Sequence, residues 1–97
     1  MRLSKLEIKI IKESAIKIFG NDAKVFLFGS RVNDKLKGGD IDIYIETNKT
    51  IDVLNKKIKM SIELKKKLGD RRIDLVINNF QSYKDIFTIA KQEGILL

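Results

Sequence analysis

The chain has 97 residues, 43% of them apolar, no cysteine and no histidine, and 20 Lys plus Arg against 13 Asp plus Glu, a net charge of +7. This length allows one domain with a small core, spanning 1–97. The missing residue types exclude disulfides, thiolate metal sites, imidazole general bases and the usual zinc ligands, so catalysis would run on carboxylates, hydroxyls, Lys, Arg and a hard metal held by oxygen. The positive balance favours an anionic partner such as a nucleotide, nucleic acid or an acidic protein surface. Lysines spread along helices also serve solubility alone, and no basic patch with interleaved aromatics is present, which makes nucleic acid a poor direct substrate. No apolar run reaches membrane-spanning length and no signal-peptide layout opens the chain, so the expected location is cytoplasmic.

Leu3 to Phe19 has helical periodicity, with Leu3, Leu6, Ile10, Ile11, Ala15, Ile18 and Phe19 in one arc and Lys5, Lys9, Lys12 and Glu13 opposite. Ile16 falls on the polar side, where an apolar residue suits an interface. Gly20-Asn21-Asp22 supplies a stop and a turn. Lys24 to Phe28 is a continuous apolar run, the pattern of a strand buried on both faces. Gly29 to Gly39 is too short for a parallel crossover, so the first two strands are expected to be antiparallel neighbours. Ser30 suits the N-cap of one or two helical turns there.

The second strand, ending at Glu46, alternates: Asp40, Asp42, Tyr44 and Glu46 project to one side, Ile41, Ile43 and Ile45 to the other. One face reads as core and the other as charged. After a polar turn, Ile51 to Leu68 reads as an amphipathic helix with Ile51, Leu54, Ile58, Ser61, Ile62 and Leu68 inward. Arg72 to Ile77 alternates again, with Ile73, Leu75 and Ile77 on one face and Asp74 on the other; its orientation relative to the second strand is open. Tyr83 to Gln92 forms a last helix with Ile86, Phe87, Ile89 and Ala90 inward, followed by an apolar tail. The order is α-β-(short α)-β-α-β-α. It predicts an α+β fold, a small mixed sheet of about three strands with helices packed on it.

Two carboxylates at i and i+2 on a strand converge on one site, as nucleotidyl transfer needs for a pair of divalent ions, and Asp74 has the right alternation to add a third acid. Gly29-Ser30-Arg31 offers a close-approaching backbone, a hydroxyl with an N–H, and a fixed positive charge for phosphate. Taken singly, each piece has an ordinary structural reading. A D-x-D is a solvated strand face, Gly-Ser a loop, Ser30 a cap, Arg31 a partner for Asp34, and Asp74 an edge-strand surface residue. The ordered conjunction of apolar strand, Gly-Ser, short gap, D-x-D, helix and a further strand Asp carries the functional reading.

With Gly29-Ser30, Asp40-x-Asp42 and Asp74 in that order, and an apolar tail closing on Glu93-Gly94-Ile95-Leu96-Leu97, nearly the whole chain resembles the minimal nucleotidyltransferases of the DNA polymerase beta superfamily, of the antitoxin type. One departure is visible: nine residues separate Ser30 from Asp40, one fewer than the commonest spacing, and Gly38-Gly39 stands in place of a polar pair. The resemblance implies a two-layer nucleotidyltransferase fold and two Mg2+ or Mn2+ ions held by Asp40, Asp42 and Asp74. It also implies ATP contacted through Gly29, Ser30 and Arg31, and Asp74 helping to deprotonate the acceptor hydroxyl. Its implied partner is a helical HEPN-family toxin ribonuclease that receives AMP on a tyrosine, in a possible hetero-oligomer. Two alternatives stand beside it. One is a catalytically weak antitoxin that neutralises by occlusion; the other is nucleotidylation of a small molecule such as an aminoglycoside, whose enzymes carry a further domain.

Overall fold

The computed structural model describes residues 4–28, 41–48, 51–69, 72–80 and 84–97. The short helix expected after Ser30 lies outside them. The first helix, α1 (Lys5–Phe19), starts where the sequence supplies a complete cap. The Glu7 N–H donates to Ser4 Oγ at 3.1 Å, and the Ser4 N–H donates to Glu7 Oε1 at 2.9 Å. It stops at Gly20, whose φ of 105° an L side chain rarely tolerates. Ile11, Ala15 and Phe19 are fully buried, but Leu6, expected inward, is exposed, because at 100° per residue it lies on the side of the helix opposite those three.

β1 (Lys24–Phe28) and β2 (Ile41–Glu46) pair antiparallel, as the short connection requires, and Phe28 stands level with Asp42. α2 (Val53–Leu68) then carries the chain across to β3 (Ile73–Asn78), which pairs parallel with β2. α3 (Asp85–Glu93) follows, and the apolar tail forms β4 (Ile95–Leu96), antiparallel to β1. Among the described residues the sheet order is β3-β2-β1-β4, four strands rather than three. Gly94 permits the turn into β4: a Cβ there would collide with the Ala90 carbonyl and crowd Phe26 Cβ at 3.2 Å.

The alternation of the strands sorts two cores. Val25, Leu27, Ile41, Ile43, Ile45, Ile73 and Leu75 face α1 and α2. On the other side Phe26, Phe28 and Tyr44 pack with Phe87 and Ala90 of α3, the Tyr44 ring lying 5.5 Å from that of Phe26 and 5.9 Å from that of Phe87. The face expected to be charged is therefore largely interior: Tyr44 is 1% and Glu46 6% exposed. Of α3's expected inner residues Phe87 and Ala90 are buried, whereas Ile86 and Ile89 are exposed.

α2 differs most from expectation. Its buried residues are Met60 and Leu64, and Ile51, Leu54, Ile58 and Ile62 are 74%, 69%, 49% and 51% exposed. The helix has two apolar stripes roughly 140° apart at 100° per residue, and periodicity alone ranks the wrong one inward. Its neighbour decides. Ser14 Oγ of α1 donates to Glu63 Oε2 at 3.1 Å, and Lys17 and Lys67 approach Glu63 Oε1 at 3.4 and 3.1 Å. This turns the Glu63 side of α2 toward α1, where the small Ser14 and Ala15 leave room for Met60 and Leu64.

Candidate active site

Both strand acids are placed by their neighbours. In Ile41-Asp42-Ile43 and Ile73-Asp74-Leu75 the aliphatic residues enter the α1/α2 core, so each aspartate must emerge on the opposite face. β2 and β3 run parallel with Asp42 opposite Asp74, which sets the two Cα atoms about 4.8 Å apart on the same face. Both residues are partly exposed. α3 packs over Phe26, Phe28, Tyr44 and Val76, leaving the carboxylates accessible at the N-terminal end of the parallel pair. Arg72 Nε lies 3.6 Å from Asp74 Oδ2, an exposed contact worth at most about 1 kcal/mol. Two carboxylates this close repel, and hard oxygen donors of this kind suit Mg2+ or Mn2+.

Asp40, Gly29, Ser30 and Arg31 lie outside the described residues. Among the described residues no three acidic side chains gather closely enough to share a cation.

A second polar cluster, not anticipated from sequence, occupies the other end of the same face. Tyr44 Oη donates to Glu46 Oε2 at 3.0 Å and accepts from Asn78 Nδ2 at 2.9 Å. Lys91 of α3 approaches Glu46 Oε2 at 3.2 Å. Burial pushes the Tyr44 phenol above its ordinary value, against the lowering influence of the Asn78 donor, so the hydroxyl keeps its proton. Asn78 Oδ1 also accepts from the Phe80 N–H at 2.9 Å, holding Phe80 at a left-handed φ of 64°. The available signal was Tyr44 and Glu46 at i and i+2, but no pattern in the sequence names Asn78 or Lys91 as their partners. This cluster pins α3 to the sheet. A cleft of about 210 Å³ lined by Asp22, Lys24, Glu46, Thr47, Asn48 and Phe80 lies beside it, at the far end of β2 from Asp42, so it is not part of the acidic site.

No helix among the described residues is long and apolar enough to cross a membrane. No curated protein matches the chain. Among solved structures it is similar to a chain from a mutant form of the toxin-antitoxin complex MntA-HpeT, with 26% identity and a TM-score of 0.64 over 94% of this chain and 69% of that one. Residues 8–97 match the nucleotidyltransferase domain, a stretch that takes in all four strands and the Asp42–Asp74 pair. With that match over nearly its whole length, the chain belongs to the nucleotidyltransferase domain family.

Proposed function

We propose that this chain transfers AMP from ATP to a hydroxyl group, the acceptor being a tyrosine of a helical HEPN-family toxin for which it serves as antitoxin. The observation that carries the reading is the register of β2 and β3, which sets Asp42 beside Asp74 on an accessible face of a nucleotidyltransferase domain. The similarity to a chain of a toxin-antitoxin complex supports the partner.

In this reading Asp40, two residues before Asp42, completes the acidic set, and the three aspartates hold two Mg2+ or Mn2+ ions. When bound, the ions supply charge neutralisation at the triphosphate and at the leaving pyrophosphate. Phe28 stands level with Asp42, and in this reading Gly29, Ser30 and Arg31, which follow it in the sequence, would supply donors for the β- and γ-phosphates. Asp74 accepts the proton of the acceptor hydroxyl. The hydroxyl oxygen then forms its bond to the α-phosphorus as the bond to pyrophosphate breaks. Asp42 holds its place because Ile41 and Ile43 on either side are fully buried.

The shortened Ser30-to-Asp40 connection favours a second reading, in which the chain neutralises its partner by occlusion and catalysis is weak. One experiment separates the two. Purified partner is incubated with the chain, α-labelled ATP and Mn2+, alongside Asp42→Asn and Asp74→Asn variants whose circular dichroism matches the wild type. Loss of label and of neutralisation together supports transfer. Loss of label with neutralisation intact supports occlusion, and labelling that persists in an Asp40→Asn/Asp42→Asn double variant removes the catalytic case.

A further inference from the structure

We infer that the outward face of α2 is the surface on which the helical partner docks, through a helix of its own that carries acidic residues; this rests on the toxin-antitoxin reading above. Leu54, Ile58 and Ile62 are each about half exposed or more. Spaced four apart, they form a single i±4n ridge over two turns, about 12 Å long, the unit that packs into the groove of a second helix. Lys65 projects within the same arc and Lys59 and Lys66 border it on one side, all exposed and, among the described residues, without an ion pair. The helix has one acid, Glu63, and it faces α1.

The charge pattern selects the occupant. A second copy, itself at +7, would bring lysines against lysines. A membrane surface calls for a broad apolar face with aromatic anchors, whereas this ridge is one residue wide and wholly aliphatic. An apolar helix groove rimmed by Asp and Glu satisfies both the ridge and the lysines. At Leu54 the ridge meets a groove of about 300 Å³ between α2, α3 and β3, which is an edge strand. Leu75 and Val76, the residues after Asp74, line that groove. A partner seated on the ridge therefore extends along the strand that carries the acidic site.

The test is calorimetric titration of the purified HEPN-family toxin of the proposed pair into wild type, Ile58→Asp and Lys65→Glu/Lys66→Glu, each first shown to melt as wild type does. Ile58→Asp is expected to raise Kd at least about 100-fold, as a central apolar anchor does. The charge-reversed variant should raise Kd about tenfold at low salt, with a smaller change at high salt. If both variants bind the partner within about twofold of wild type, the docking surface is refuted and the toxin-antitoxin reading stands. If wild type does not bind the partner, the reading itself falls, and this surface with it. Self-association, or co-flotation with phosphatidylglycerol vesicles, that is abolished by Ile58→Asp would assign the face to another occupant and overturn the proposal.

Discussion

The Asp42–Asp74 pair makes a prediction whose sign reverses with metal. Two unit charges held at the strand spacing of about 5 Å repel by about 0.8 kcal/mol in water and about 3 kcal/mol at an effective dielectric of 20. Asp74 has a side chain 46% exposed and Arg72 at 3.6 Å, which places the net repulsion near the lower end, about 1 kcal/mol. Asp74→Asn is therefore expected to raise stability in EDTA by about 1 kcal/mol, or roughly 4 °C or more in Tm for a domain of this size. In Mn2+ the order inverts. Wild type gains about 2.7 kcal/mol when the ion is at 100 times its Kd, and the variant, lacking one carboxylate of the pair, gains little. Thermal melts across a MnCl2 series at 0.15 M salt should give two Tm curves that cross. A variant less stable than wild type in EDTA, or one shifted equally by Mn2+, would refute the reasoning.

Tyr44→Phe removes the donor to the buried Glu46 carboxylate and the acceptor of Asn78 Nδ2, so a loss of about 3 kcal/mol is expected in urea unfolding; a change below about 0.5 kcal/mol would show that the cluster does not hold α3 down. The Glu63 carboxyl is held below its ordinary value chiefly by Lys67, with Ser14 and Lys17 adding to it, against the opposing effect of burial. A depressed folded value means that this stability is present above the ordinary carboxylate range, near pH 4.3, and is lost as pH falls through the folded value. Glu63→Gln should therefore cost about 1–2 kcal/mol at pH 7 and progressively less as pH falls below the ordinary carboxylate range, read as a flatter Tm-against-pH curve on the acid side than wild type shows.

Much of the architecture was legible in local patterns. Gly20 marks the end of α1, and the run Val25-Phe26-Leu27-Phe28 announces a strand covered on both sides; the start of α1 at the Ser4–Glu7 cap, two residues after the expected Leu3, came only with the structure. A connection too short for a crossover forces β1 and β2 antiparallel. β4 was not legible, because two residues contain no period, and Ile95-Leu96 becomes a strand only by pairing with Phe26 and Leu27. The inner face of α2 was not legible either, since two apolar stripes of similar strength compete and the choice depends on hydrogen bonds from α1.

The acids of the site divide in the same way. Asp42 and Asp74 each sit between aliphatic residues, and the two-residue repeat of a strand sends such an acid away from the core wherever that strand lies; this much is carried by the sequence itself. Whether they meet depends on strand order and register. β3 had to lie beside β2, parallel and without a one-residue slip, before Asp42 could stand opposite Asp74. Those choices belong to the tertiary structure, because they minimise exposed apolar area over all strands and helices at once and are written in no single segment.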